Sequence, residues 1–381
     1  MVNGGGKKTL LRSSLASACL LGLIFAGSRD GWGQEQPDPA APAEAPPAPT
    51  HESGVHFATG GTAFRIAGFG DADFVAPTAE GENSAFSIGP VVLYMTARMS
   101  DHWSALVELV FESDGNTLVT DLERFVVSYE YSDRLRLDLG RHHNSLVRWN
   151  VTQHHGLFHQ TPVERPAMAR FEDQPGLWPV HFVGLRASGR LQDRFGLRYE
   201  VGVGNGRGQI LDEVQVGGDA NGSKAIVASL GFAPAFSPGW ELYFTGYFDR
   251  IPATDGELRE QDFTVSTSYL ARGLEVRAEW GRMQHTPEGA SFDYRTTGWY
   301  VLVSRRLPGR WDFLRPYLFL DHLEVAKGER FLEGVPDEAS WTGGLRFDLN
   351  AGTAVKAEYR SQKIGAGEHD GVVRAQVAVA F

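Results

Sequence analysis

The sequence predicts an all-β fold, a transmembrane antiparallel β-barrel of about 16 strands whose long third external loop folds toward the lumen. Three observations lead to this prediction. Segments of roughly 9 to 13 residues alternate apolar and polar side chains, which is the period of a strand with two different faces. The connections between these segments alternate in length, and the last segment is amphipathic and ends at Phe381.

The first 33 residues are predicted to be a cleaved signal peptide. Lys7, Lys8 and Arg12 form a basic region, and an apolar stretch follows over residues 15–26. This stretch is too short to span a bilayer comfortably, which favours a secretory signal over the alternative of a membrane anchor. The one cysteine, Cys19, lies within the stretch, so a processed chain would have no thiol for disulfides or catalysis.

Residues 34–54 are predicted to be a periplasmic linker. They contain six prolines and almost nothing apolar beyond alanine. Such a composition forms an extended, semi-rigid tether because proline restricts the backbone and no side chains can build a core. The barrel is therefore predicted to comprise residues 55–381.

Sixteen segments from residue 62 onward are predicted to be strands. In the third of them Trp103, Val107 and Phe111 share one face, while Ser104 and Glu108 share the other. The sixteen are the stretches 62–74, 91–98 and 103–112 and the segments centred on Val127, Leu137, Leu185, Val201, Ala228, Phe244, Val265, Val276, Val301, Leu318, Leu345, Ala357 and Val377.

The connections indicate a membrane barrel. Short turns follow even-numbered strands, at 100–101, 132–133, 192–193, 271–272 and 350–351. Longer stretches follow odd-numbered strands, at 75–84, 205–223, 250–260, 283–293, 323–337 and 363–370. Outer-membrane barrels have tight periplasmic turns and long external loops, whereas a soluble sandwich has no reason for this asymmetry. Both ends of the barrel sequence are then expected on the periplasmic side.

Aromatic residues beside the short turns agree with this prediction, because membrane interfaces are enriched in Trp and Tyr. The alternative for each is ordinary core packing. The residues are Trp103, Tyr131, Trp240, Tyr269 and Trp311. After residue 33 no segment has 18 uninterrupted apolar residues, so a span would have to be a closed barrel, which leaves no backbone group unsatisfied in lipid.

Two stretches, 135–150 and 180–207, resemble the phosphate-selective porin O and P-like group of Gram-negative outer-membrane porins. The resemblance implies a 16-stranded homotrimer in the outer membrane, with a channel narrowed by a folded-in third loop, and a terminal Phe381 that is recognised by the barrel-assembly machinery. The group's turn of the type Gly-Arg/Gln-Phe/Tyr-x-x-Pro is represented by residues 140–145, without the proline. The resemblance extends to the architecture and not to phosphate specificity.

The longest connection, residues 141–180, follows the fifth strand and is the predicted third loop. Long connections without regular structure tend to be functional, and rings of charged side chains set the selectivity of pores. The predicted constriction residues are Arg141, His142, His143, Arg148, His154, His155, His159, Arg165 and Arg170. The alternative is an external lid. The histidines of the third loop are expected to gain a proton as the pH falls toward 6. Their spacing matches no metal motif, so no metal is predicted.

Basic residues on the polar strand faces are predicted to face the lumen. They are Arg98, Arg124, Arg136, Arg186, Arg198, Arg277, Arg346, Arg360 and Arg374. A comparable number of acidic residues shares these faces, so cross-strand ion pairs are an equally good interpretation for each of them.

The predicted function is passive diffusion of small hydrophilic solutes, among which anions are candidates, with contacts to outer-membrane lipid and no cofactor. The alternative is a plugged barrel that acts as a lipase- or protease-type enzyme or as an adhesin, but no nucleophile beside a base is visible in the sequence, so no catalytic residue is predicted. A formal net charge of −11 without a long basic run argues against nucleic acid as a partner.

Overall fold

The computed structural model describes residues 54–79, 81–114, 117–153, 158–170, 176–191, 194–208, 217–220, 222–253 and 256–381. The predicted signal peptide and all of the predicted linker except Gly54 lie outside these ranges, so both stay predictions. None of the helices within the described ranges is long and apolar enough to cross a bilayer.

The described ranges form 18 strands and three short helical segments. The strands are β1 Val55–Thr59, β2 Thr62–Pro77, β3 Ala85–Ile88, β4 Val91–Arg98, β5 Trp103–Asp114, β6 Thr117–Ser132, β7 Leu135–His143, β8 His181–Arg190, β9 Leu197–Asn205, β10 Lys224–Phe232, β11 Trp240–Ala253, β12 Gly256–Ala271, β13 Leu274–Pro287, β14 Tyr294–Arg305, β15 Leu314–Glu324, β16 Glu338–Asn350, β17 Thr353–Ile364 and β18 His369–Ala380. The helical segments are α1 Arg148–Gln153 and the 3₁₀ turns Ala167–Ala169 and Gly309–Trp311.

These strands occupy 16 positions in one closed antiparallel barrel. β3 and β4 lie on the same side of β2, pairing with its second and first halves, and so share one position. Gly89 and Pro90 separate them, and proline has no N–H to donate to a ladder. β18 and β1 share the position on the other side of β2. The predicted class and strand number are therefore confirmed, and each predicted strand centre lies in its own position.

Closure follows from pairing between chain neighbours all the way round. β2 pairs with β4, and every strand from β4 to β17 pairs with the next one. β18 pairs with β2, from Val372 opposite Pro77 to Ala380 opposite Phe69. A closed ring has no free edge, so backbone hydrogen bonds are satisfied within the wall.

Alternate residues of each strand face the two sides of the wall. In β11, Tyr243 and Tyr247 are buried, whereas Phe244 and Phe248 are exposed. The exposed side is mostly apolar, as in a barrel whose outer surface meets lipid. Its side chains include Phe125, Leu139, Leu185, Val203, Ile226, Phe244, Phe263, Leu318, Trp341, Leu345 and Val377.

Some connections differ from the prediction. The stretch 250–260 was expected to be a loop, but β11 continues to Ala253 and β12 begins at Gly256. Arg250 lies opposite Arg259, and its Nη1 atom bonds Glu257 Oε2 at 2.9 Å. The pairing of β11 with β12 therefore continues beyond the part of these strands whose exposed side chains are apolar. The turn at 306–313 follows an even-numbered strand, yet it contains the 3₁₀ turn at Gly309–Trp311 and is longer than a tight turn.

The predicted aromatic residues do lie at the short-turn end. Trp103, Tyr131 and Trp311 are exposed there. Trp240 is half-buried, and its indole Nε1–H donates to Thr267 Oγ1 at 2.9 Å. An exposed ring beside a short turn is the arrangement expected at a membrane interface.

The last residue is fixed against β2. Phe381 N donates to Gly68 O at 2.9 Å, and Gly68 N donates to Phe381 O at 2.7 Å. The Phe381 ring lies over Gly68, where an added Cβ would come within 2.5 Å of ring atoms. A side chain at position 68 would therefore displace the Phe381 ring from this close approach.

Candidate pore constriction

Loop three, as the structure defines it, is the connection 144–180 between β7 and β8. The predicted loop began too early, because Arg141, His142 and His143 belong to β7 and pair with Val183, Phe182 and His181 of β8. Asn144 N then donates to Val180 O at 2.8 Å, which closes the base of the loop. His154 and His155 lie outside the described residues.

Loop three crosses the inside of the barrel. The Nη1 atom of Arg346, in β16, donates to Phe158 O at 2.6 Å and to Gln160 O at 2.9 Å. Loop three starts at the fifth of sixteen wall positions and β16 is the fourteenth, so the loop reaches the far side of the ring. A segment that contacts opposite walls must pass through the interior, as the sequence predicted.

Charged side chains of the wall hold the loop backbone in place. Glu279 of β13 accepts hydrogen bonds from the N–H groups of Arg148, at 2.7 Å, and Trp149, at 3.4 Å. Glu358 of β17 accepts from Val163 N at 2.8 Å. Hydrogen bonds to charged groups are stronger than neutral ones. Part of the charge in the interior is thus used to position loop three.

Apolar packing adds to these bonds. Trp149, Met168 and Trp178 of loop three are almost fully buried in one cluster with side chains of β8, β10, β11 and β13–β15. Gly281 and Gly298 lie opposite each other on β13 and β14 and leave room for them. A Cβ on Gly298 would lie 2.9 Å from Met168 Cβ, so these two glycines form the seat of the loop. This seat is not among the features predicted from the sequence.

The predicted loop residues that the structure describes have different surroundings. The Arg148 guanidinium lies 4.0 Å from the centre of the Tyr243 ring, a cation–π contact. Arg170 Nη1 bonds Glu338 Oε2 at 2.6 Å. Arg165 is half-buried on the loop. These basic residues therefore do not form one ring.

His159 corrects the expectation that the loop histidines charge near pH 6. Its ring packs 4.9 Å from Phe69 and 5.5 Å from Phe158, centre to centre. Burial, followed by the positive charges of Arg346 and Lys356, lowers the pKa of His159 to about 4. His159 is consequently neutral at pH 6.

Most of the predicted lumen-facing arginines are in ion pairs with wall or loop carboxylates. Arg186 Nη2 bonds Asp138 Oδ2 at 2.6 Å, and Arg360 Nη2 bonds Glu338 Oε1 at 2.6 Å. The same holds for Arg124 with Glu108, Arg136 with Asp138, Arg277 with Glu275, Arg346 with Asp348 and Arg374 with Glu164. Arg98 is exposed at the end of β4. For these residues the ion-pair interpretation fits better than a free basic surface.

Three predicted residues come together at a cavity near the short turns. Arg136, Arg148 and Arg198 line a space of about 100 Å³ between loop three and the wall from β6 to β11. Arg190, which the sequence analysis did not select, lines it as well. Arg198 Nη1 donates to Tyr243 Oη and to Glu241 Oε1, both at 2.9 Å. The other lining residues include Glu130, Asp133, Glu200, Ser145, Ser188 and Ser229.

One group of described side chains is close enough to share a metal ion. Glu123, His143 and His181 are all buried, and one potential ligand atom of each lies within 4.8 Å of the others. They lie where loop three leaves and rejoins the wall. His143 was predicted as a constriction residue from its place in the loop, without a connection to the other two.

No model of a protein family and no curated protein matches the sequence. Solved outer-membrane proteins share its fold. OmpF of Salmonella typhi, in a complex with daunomycin, is 12% identical with a TM-score of 0.62, over 86% of this chain and 100% of that one. The anion-selective porin of Comamonas acidovorans is 14% identical with a TM-score of 0.61, over 84% of this chain and 100% of that one. The trimer form of OmpT of Vibrio cholerae is 9% identical with a TM-score of 0.58, over 84% of this chain and 99% of that one.

These identities are low, so the similarity shows a shared fold. It confirms that the chain forms a barrel of the porin type. The narrower resemblance to the phosphate-selective group stays a prediction.

Proposed function

We propose that the protein is an outer-membrane porin through which small hydrophilic solutes diffuse passively, without chemical conversion. The observation that carries the proposal is the course of loop three, which crosses the interior and leaves a cavity lined by arginines at the short-turn end. A solute that passes loop three would meet this polar surface before it leaves the barrel.

The cavity suggests a weak preference for anions. Four arginines line it together with the three acidic residues Glu130, Asp133 and Glu200. Glu241 further offsets the charge of Arg198 through their ion pair. Four arginines thus meet four carboxylates, so we expect size and polarity to set the selectivity, with at most a mild bias toward anions. The fold is shared with a porin that is described as anion-selective.

The same proposal places the protein in the outer membrane of a Gram-negative cell, after export by the predicted signal peptide. The apolar outer side of the wall would contact lipid. A homotrimer is supported by the trimer form of the similar OmpT structure. Phe381, paired with Gly68 at the seam, would be the residue through which the assembly machinery recognises the last strand.

Single-channel recording tests the proposal. Refolded protein in a planar bilayer should produce stepwise openings, with a reversal potential in a salt gradient that leans weakly toward anions. Arg198→Gln should shift the reversal potential toward cations. Arg295→Gln is the matched control, because Arg295 is exposed at the long-loop end of β14 and does not line the cavity.

A protein that inserts and gives no openings would contradict the channel. Lipase, protease and adhesion assays would then test the plugged-barrel alternative.

A further inference from the structure

We propose that a divalent transition-metal ion binds at the root of loop three, to Glu123, His143 and His181. This goes beyond the proposed transport function and does not depend on it. Spacing along the chain predicts no metal site, because these three residues come from three neighbouring strands.

The register of the wall brings the three side chains together. His143 is the last residue of β7 and lies directly opposite His181, the first residue of β8. Glu123 lies in β6, on the other side of β7, at a β-bulge where Arg124 pairs with Glu108 and Leu122 pairs with Leu109. A bulge adds an unpaired residue to a strand and changes the direction of its side chain. Here the bulge brings the Glu123 carboxylate to the histidine pair.

The distances are close to those of a metal site. Glu123 Oε1 lies 2.6 Å from His181 Nε2, and the His143 and His181 ring centres are 5.6 Å apart. The side chains are protected from solvent, with exposed fractions of 4% for Glu123, 2% for His143 and 7% for His181. Ligand atoms around a tetrahedral zinc ion are roughly 3.3 Å apart, since each lies about 2.0–2.2 Å from the metal. A small rotation of the side chains would therefore suffice.

The ligand types favour zinc or a similar ion. Two imidazoles and one carboxylate form a common protein ligand set for Zn²⁺ and leave a fourth position for water.

Arg141 sets a condition on binding. Its Nη2 atom lies 3.3 Å from His181 Nδ1 and 3.5 Å from Asp121 Oδ2. When His181 binds a metal through Nε2, its Nδ1 carries the proton, and an arginine can only donate. The guanidinium must then turn fully to Asp121, which already lies within reach.

A metal at this site would join the two ends of loop three. His143 precedes Asn144 and His181 follows Val180, the two residues whose backbones bond at the base of the loop. A metal bond across this base would restrain a long connection that crosses the lumen. The ion would thus act on the loop that narrows the barrel.

Calorimetry on the full-length processed chain, refolded in detergent micelles without a polyhistidine tag, tests the site. We expect one equivalent of Zn²⁺ to bind, and Co²⁺ to give visible absorption bands of a protein-bound ion. His143→Ala and His181→Ala should each weaken binding at least tenfold. His369→Ala is the control, because His369 is exposed at the start of β18.

Glu123→Gln provides a second test if a histidine variant does not fold. The amide keeps an oxygen at this position and removes the charge, so Zn²⁺ should bind at least tenfold more weakly to a barrel that still unfolds cooperatively. Absence of saturable binding to the folded wild type, or unchanged binding by His143→Ala, would overturn the site. These binding measurements do not depend on channel conductance, so the metal site and the channel are tested separately. A conducting protein that binds no metal overturns only the metal site, and a metal-binding protein without openings overturns only the channel.

Discussion

Single residues inside the wall are stabilised by partners on adjacent strands. Glu108 and Arg124 lie opposite each other on β5 and β6, and both are almost fully buried. The Arg124 guanidinium also lies 5.6 Å from the centre of the Tyr94 ring. Removing one member of such a pair leaves a charge without its main partner in a place that water does not reach.

We expect Glu108→Ala to lower the free energy of unfolding by roughly 3–5 kcal/mol, as is found for buried ion pairs that lose one partner. Urea unfolding in micelles measures the change. The double variant Glu108→Ala/Arg124→Leu should recover most of the loss, since it leaves no unpaired charge. A double variant as unstable as the single one would show that the pair is not the cause.

His159 gives a prediction for pH. Its pKa is about 4 in the folded protein and 6.5 in its ordinary state, so between these values the unfolded chain binds a proton that the folded chain does not. Neutral His159 therefore makes its full contribution to the free energy of unfolding above about pH 6.5. This contribution is lost as the pH falls toward 4. Among the groups facing it are Arg346 and Lys356, and both disfavour a proton on the imidazole.

We therefore expect the difference in thermal stability between wild type and His159→Asn to change with pH. Wild type should lose more stability than the variant between pH 7 and pH 4.5. Thermal unfolding monitored by circular dichroism at the two pH values measures this. Parallel losses in the two proteins would contradict the low pKa of His159.

At the level of elements, we expect the seat of loop three on β13 and β14 to set how far the loop blocks the interior. Gly298→Val adds a side chain where Met168 already lies at 2.9 Å. We expect this change to displace the loop and to raise the single-channel conductance. Gly343→Val is the control, because an added Cβ there meets only Trp341, at 3.8 Å. Equal conductance of the two variants would show that the seat does not hold the loop.

The strands themselves could be predicted from the sequence, because the period of two persists in each segment and the turns are short. All sixteen predicted centres lie in their own strand positions. The crossing of loop three could also be predicted from its length. The ends of β11 and β12 could not, because Arg250 and Glu257 continue the ladder with side chains that are typical of a loop.

The site was less predictable, because its residues meet across strands. Whether Arg186 is paired or free depends on the register that places it opposite Asp138. The bulge that redirects Glu123 cannot be recognised in the alternation of apolar and polar residues along β6. Arg136, Arg148 and Arg198 were found from their strand faces and the loop position, but their meeting at one cavity depends on how α1 packs inside the ring.

For the whole molecule, insertion depends on the apolar outer surface. Val107 pairs with Met95 and Phe125, and Phe125 is exposed on that surface. Val107→Arg should disfavour insertion by roughly 2–4 kcal/mol if the residue lies near the bilayer midplane. Folding into vesicles, followed by the shift in electrophoretic mobility, measures the yield.

Val107→Thr is the matched control, since it changes polarity without adding charge. Glu108, one residue along, is unsuitable as a neutral control because it is paired with Arg124. Equal yields for the arginine and threonine variants would contradict the assignment of Val107 to the lipid side.

β18 and β1 share one position beside β2, so the barrel does not require the chain to begin and end at this strand. Phe381 lies opposite Gly68 and Val55 lies opposite Ile66, so Gly54 falls beside Ala67, in the place where a residue after Phe381 would lie. Both strands run antiparallel to β2, so a peptide bond from Phe381 to Gly54 would continue one strand in register. A circularly permuted chain, opened at the turn 351–352, would trace the same sixteen positions.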